Sequence, residues 1–219
     1  MHQIVQNLIK IKNKINSNLP DINNNKVPKI IAVSKTFGME KISPLVEYGH
    51  IDFGENKVQE AIEKWSNLKL NKDNIKLHLI GGLQTNKVKL AVKLFDYIHS
   101  VDNQKLAKKI SDEQKKQKKK LKIFIQVNIG DEQQKSGINK SLVSDLYKYC
   151  KSLNLNVVGL MCIPPLEKPS DIFFKEMSIL NQDLNLNELS MGMSSDYLDA
   201  IKNSATYVRI GSDIFGARG

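Results

Sequence analysis

From residue 29 to its end the chain repeats one pattern eight times: a short β-branched, apolar run followed by a longer stretch of helical periodicity. The runs fall at residues 30–34, 51–54, 77–81, 97–101, 123–129, 157–162, 188–191 and 207–211. Strands separated by helical crossovers pair in parallel, because a parallel partner cannot be reached through a tight turn. Eight such units close most simply into a (β/α)8 TIM barrel, with an open doubly wound sheet as the rival. No GxGxxG follows the first run, which counts against the dinucleotide-binding form of that rival.

The helical stretches cover residues 39–48, 56–70, 84–95, 103–118, 140–153, 170–184 and 196–203. The clearest is 56–70, where Val58, Ala61, Ile62, Trp65 and Leu68 make one apolar stripe. The weakest is 103–118, which offers only Leu106, Ala107 and Ile110 as a buried face. Residues 1–19 place Ile4, Leu8, Ile11 and Ile15 at helical spacing. They lack the continuous apolar core of a secretory signal and contain no Arg, so they read as an extra N-terminal helix packed on the barrel. No linker, repeat or low-complexity break divides the chain, and residues 1–219 read as one domain.

Composition enters through its exclusions. The net charge of +10 comes from 31 Lys and only two Arg, Arg209 and Arg218. The densest basic run, residues 115–122, has no interleaved aromatic on which a base could stack, so it reads as a solvated helix end and no specific nucleic-acid binding is expected. No run approaches the roughly 18 apolar residues of a membrane span. Cys150 and Cys162 form neither a CxxC pair nor a metal-ligand spacing, which points to a reducing, cytoplasmic setting and to no metal. No apolar surface stripe is visible, so a monomer is expected.

In a barrel the chemistry sits just past the carboxyl ends of the strands. Those positions are Lys35, Glu55, Asn56, Gly82, Asp102, Asn128, and residues 161–164, 191–195 and 211–216. Lys35 would lose hydration in the barrel mouth, which frees an amine to attack a carbonyl. From position alone this stands level with an ordinary surface lysine. The loops at 190–195 and 209–216 lie where barrels place a phosphate, with Gly192 and Gly211 allowing close approach and Ser194 and Ser212 offering hydroxyls. Arg209 adds a planar, permanently charged fork in a chain that otherwise writes its cations as lysine. A reactive Lys, a phosphate loop and an Arg between them describe a pyridoxal phosphate pocket. Among the remaining polar residues, His78 reads as a satisfied barrel residue, and His2, His50 and His99 as peripheral. Lys87 and Lys135 read as rim charges. Tyr97 and Tyr207 begin strands and belong at the closed end.

Ala32-Val33-Ser34-Lys35, Phe53-Gly54-Glu55-Asn56, Gln84-Thr85-Asn86-Lys87, Lys135-Ser136-Gly137, Gly159-Leu160-Met161, Ser190-Met191-Gly192-Met193-Ser194 and Val208-Arg209-Ile210-Gly211 together resemble the pyridoxal phosphate homeostasis protein family. The resemblance runs in order from about residue 30 to the end. It implies a fold type III barrel like the cofactor domain of alanine racemase, holding pyridoxal 5′-phosphate as a Schiff base on Lys35. Arg209 would face the pyridine nitrogen, with Ser194, Gly211 and Ser212 on the phosphate and Met191 and Asn56 near the ring. It further implies a role in buffering the cofactor or delivering it to apo-enzymes, with no catalytic residue assigned. A weak racemase using Lys35 as base, a Schiff-base aldolase and a basic nucleic-acid binder are the alternatives. Lys57 and Gly82 depart from the family pattern, which has an aromatic and a proline there.

Overall fold

A computed structural model describes residues 1–18, 27–72 and 74–217; residue 19 of the N-terminal stretch and Arg218 lie outside them. The order is α1 (Gln3–Asn18), β1 (Lys29–Val33), α2 (Met39–Glu47), β2 (Asp52–Glu55), α3 (Val58–Asn71), β3 (Lys76–Leu79), α4 (Val88–Leu94), β4 (Tyr97–Val101), α5 (Gln104–Gln117), β5 (Lys122–Asn128), β6 (Ile138–Asn139), α6 (Val143–Ser152), β7 (Asn156–Cys162), α7 (Ser170–Asp183), β8 (Glu188–Ser190), α8 (Tyr197–Lys202), β9 (Tyr207–Ile210) and α9 (Ser212–Phe215). Every strand pairing is parallel. β4 pairs with both β3 and β5, and β1 with both β2 and β9, so eight strands close into a TIM barrel. β6 is a two-residue strand added beside β5, too short for its sequence to announce.

The strands are buried on both faces, since helices cover the outside and side chains fill the inside. Along β1, Ile30 and Ala32 join the core under the helices, whereas Ile31 joins Tyr97, Phe124, Met161 and Tyr207 in an inner cluster. The Tyr97 and Tyr207 hydroxyls lie 3.4 Å apart and receive bonds of 3.1 Å from Lys122 and Lys29 respectively, which plugs the amino end of the barrel. Helix α1 buries Ile4, Val5, Leu8, Ile11 and Ile15, each contributing roughly 1.5–3 kcal/mol by leaving water. Asn7 on the same helix donates from Nδ2 to the Ile214 carbonyl of α9 at 3.0 Å.

Helix α5 buries the three apolar residues expected of it and adds polar contacts: the Asn103 side chain caps it on Leu106 N–H, and Ser111 and Gln114 are buried against Leu153 O and Leu121 N–H. The reading of two histidines is corrected. His50 and His99 are buried, not peripheral. His50 bonds the Asp52 carbonyl at 2.9 Å. His99 stacks on Phe124 at 4.3 Å inside the barrel, beside His78, which stacks on Tyr97 at 4.1 Å. His78 is satisfied as expected, by Asp52 and His99. The β4 sequence Tyr-Ile-His-Ser-Val shows alternation but cannot say that both of its sides are buried.

Candidate cofactor site

At the carboxyl ends of the strands a cavity of about 380 Å³ opens, within the size range of small-ligand sites. Lys35 after β1, Asn56 after β2, Ser194 after β8, and Arg209, Gly211 and Ser212 on and after β9 all line it. Six of the seven residues singled out in the sequence therefore meet in one place. The seventh, Met191, does not line the cavity and is fully buried in the core. Side chains alternate along a strand, so Ser190 points inward and Met191 toward the helices; Met193 is the methionine at the cavity.

The Lys35 turn is held from several sides. Thr36 takes φ 68°, a left-handed conformation that β-branched residues avoid, and its N–H donates to Glu60 Oε1 at 2.5 Å. Lys64 of α3 donates to the Ser34 carbonyl at 2.9 Å and the Phe37 carbonyl at 3.3 Å. The same ammonium pairs with Glu60 at 2.8 Å and with Glu55 at 2.9 Å. Glu55 is wholly buried at the end of β2, and its Oε1 also accepts from Ser34 Oγ at 2.7 Å and Trp65 Nε1 at 3.0 Å. Phe37 stacks on Phe215 of α9 at 5.0 Å, which ties the lysine turn to the loop after β9.

Across the cavity, Arg209 is buried and fixed by two bonds of 2.8 Å, from Nη1 to Ser190 Oγ and from Nη2 to the Cys162 carbonyl. Burial lowers its pKa from the usual arginine value, partly opposed by Asp196. Gly192 has φ +87°, and a Cβ there would lie 2.6 Å from Ala200 Cβ, so only glycine lets this loop pass over α8. The loop is closed by Met193 N–H donating to Asp196 Oδ1 at 2.6 Å. Gly211 differs: a Cβ there would meet Val33 Cβ at 3.4 Å, an ordinary contact, and would stand at the cavity wall. Hydroxyls from Ser194, Ser195 and Ser212 and the first N–H groups of α9 surround this end, a donor set suited to an anion.

At the rim, Lys57, Gly82 and Lys87 border a second, smaller basin that shares Asn56 with the cavity. Gly82 has open space where a side chain would stand, so packing does not demand glycine there. Lys135 pairs with Glu132 at 2.6 Å and donates to the Pro164 carbonyl. Lys64 of α3 was not singled out in the sequence; Glu55 was named only as a mouth position and Ser190 only within its loop, although a carboxylate and a hydroxyl inside otherwise apolar strands were a signal that each has a buried partner. Among the described residues no group of three His, Cys, Asp or Glu could hold a metal ion, and no helix is long and apolar enough to cross a membrane.

A closed parallel barrel with a lysine past its first strand, an arginine on its last and an anion cradle after the final two defines a fold type III cofactor-barrel class. The chain belongs to the family described as alanine racemase, N-terminal domain, matched over residues 10–219, and within it to the pyridoxal phosphate homeostasis proteins. It is 37% identical to the pyridoxal phosphate homeostasis protein of Pasteurella multocida over 227 aligned positions, covering 98% of this chain and 97% of that one. It is also similar to the solved structure of PipY from Synechococcus elongatus with PLP bound: TM-score 0.86, 31% identity, 98% of this chain and all of that one covered. Alanine racemase of Clostridium difficile 630, 17% identical with a TM-score of 0.73, shares the fold over 56% of its own length.

Proposed function

We propose that this chain binds pyridoxal 5′-phosphate covalently through Lys35 and serves cofactor homeostasis in the cytoplasm, as a monomer that buffers the cofactor or passes it to apo-enzymes. The observation that carries the reading is the convergence of Lys35, Arg209 and the Ser194–Gly211–Ser212 cradle on one cavity, three chemically distinct demands met in one volume. The residues fit the group. The cofactor, when bound, supplies an aldehyde that the Lys35 amine can capture and a phosphate dianion.

Lys35 would hold the aldehyde carbon, with Lys64, Glu55 and Glu60 setting the turn that aims it. Arg209, anchored through Nη1 and Nη2, would present positive charge to the ring nitrogen and keep that nitrogen unprotonated, because two adjacent cations repel. A ring in that state withdraws electrons weakly, which suits storage more than carbanion chemistry. Apart from Lys35, no His, Tyr, Cys, Asp or Glu lines the cavity among the described residues, so paired acid–base groups for turnover are not assembled there. The names of the relatives, given for homeostasis and not for a reaction, support the same reading.

The test is the absorbance spectrum of the purified protein with and without added pyridoxal phosphate, before and after borohydride, beside Lys35→Ala. A visible band that borohydride removes and Lys35→Ala abolishes is the expected result. A protein that takes up no cofactor, or takes it up equally without Lys35, would overturn the proposal.

A further inference from the structure

Arg209 makes no ion pair among the described residues, although it is a buried cation. Its Nη1 instead opens an unbroken line of hydrogen bonds along the inside of the barrel. Arg209 Nη1 to Ser190 Oγ is 2.8 Å, Ser190 Oγ to His99 Nδ1 is 2.9 Å, His99 Nε2 to His78 Nδ1 is 3.0 Å, and His78 Nε2 to Asp52 Oδ1 is 2.9 Å. Ser190, His78 and His99 are fully buried. The Asp52 side chain is 11% exposed, in a shallow basin at the opposite face of the barrel that it shares with Lys12 and Lys29.

The direction of every bond follows from its ends. Arginine can only donate and a carboxylate can only accept. Burial lowers the pKa of both imidazoles from the ordinary histidine value, so each is neutral and carries one donor and one acceptor. With Asp52 accepting, His78 must carry its proton on Nε2 and accept on Nδ1. His99 must then carry its proton on Nε2 and accept on Nδ1 from the Ser190 hydroxyl, whose oxygen remains open to Arg209. No member of the line is frustrated, and a fully satisfied buried chain of this kind polarises along its length.

We infer that Asp52, at the closed end of the barrel, is a remote positioning residue for Arg209: through His78, His99 and Ser190 it sets the orientation of the guanidinium and supplies the negative end of a line whose positive end faces the cavity. The part of this inference that concerns the cofactor rests on the reading proposed above; the part that concerns the histidines does not. Removing the acceptor gives it a specific signature. Without a carboxylate, the His78 Nε2 proton would be stranded in an apolar interior; moving both ring protons to Nδ1 lets Ser190 Oγ accept from His99 and Arg209 together and transfers the unpaired donor from a fixed ring N–H to the Ser190 hydroxyl, which can rotate.

The experiment compares wild type, Asp52→Leu, Ser190→Ala and the double variant, each labelled with 15N-histidine. Long-range 1H–15N spectra of the cofactor-free proteins should show His78 and His99 of the wild type as neutral rings protonated on Nε2. In Asp52→Leu both should carry the proton on Nδ1. A wild type with either ring charged or protonated on Nδ1, a measurement that needs no variant to fold, would overturn the inference, as would an Asp52→Leu protein in which His99 does not respond. Titration with pyridoxal phosphate supplies the second arm. Asp52→Leu should weaken binding about tenfold in the wild-type background and less than about twofold in the Ser190→Ala background, because coupled members of one network do not add. Equal weakening in both backgrounds would show that Asp52 acts through the fold and not through the line. A wild type that binds no pyridoxal phosphate would fail the proposed function, and the ring tautomers would still decide the inference.

Discussion

Replacing Lys64 with Met tests whether the lysine turn is held by charge. Lys64 serves two carboxylates and two carbonyls at once, and its side chain is 11% exposed while that of Glu55 is wholly buried. Methionine keeps the length and apolar stem but removes the ammonium, leaving Glu55 facing only Ser34 Oγ and Trp65 Nε1. Breaking a buried pair from one side costs about 3–5 kcal/mol. The partly exposed Glu60 arm adds only about 0.5 kcal/mol, as solvent screens it. The lower end, about 3 kcal/mol, is expected, because a medium-sized residue at the helix surface admits some water. At about 2–4 °C per kcal/mol for a chain of this size, the melting temperature should fall by about 6–12 °C. The assay is urea and thermal unfolding at pH 7 of Lys64→Met, Glu55→Gln and the double variant. The double should recover about half of the loss, since the neutral amide introduced by Glu55→Gln no longer needs a cation. A Lys64→Met loss under about 1 kcal/mol, or a double variant no more stable than Lys64→Met alone, would refute the reasoning.

Burial holds the His50 ring at about 4 and lowers His78 and His99 as well, so the unfolded chain binds protons these sites refuse. Stability should therefore fall as pH drops from about 6.5 toward 4, by about 3 kcal/mol from His50 alone, and equal unfolding midpoints at pH 7 and 5 would contradict this. Gly192→Ala should destabilise by about 2 kcal/mol through its strained φ and its clash with Ala200, whereas Gly211→Ala should fold normally and weaken pyridoxal phosphate binding; calorimetry and a binding titration separate the two. Burial pushes the Cys150 and Cys162 thiols up to about 12, so neither should react with a thiol reagent at neutral pH until the protein unfolds, which a colorimetric thiol assay reads directly.

The barrel was legible because strand and helix periodicities differ and the chain alternates them eight times. All eight expected runs became strands, none displaced by more than two residues at an end, and Lys35, Asn56, Ser194, Arg209, Gly211 and Ser212 did converge. Met191 was misplaced because a loop residue's side depends on where the strand's alternation stops, and β8 stops at Ser190. The Lys64–Glu55 clamp and the His78–His99 line were not legible for another reason. In a barrel whose strands are buried on both sides, a polar residue's meaning lies in what stands across from it: His99 and Ser190 are 91 residues apart, and even the nearby Glu55 and Lys64 meet only because α3 folds back over the end of β2.

The pairing of β1 with β9 has a temporal side. Lys35 leaves the ribosome well before Arg209, Gly211 and Ser212, and the seam between β1 and β9 brings them together. Nascent chains short of β9 can hold every helix they have made and still offer no complete site. If the proposed site holds the cofactor, its capture would report that the ring has closed, and free pyridoxal phosphate would act as a clamp on that seam, adding RT ln(1 + [L]/Kd) to the free energy that keeps the ring shut.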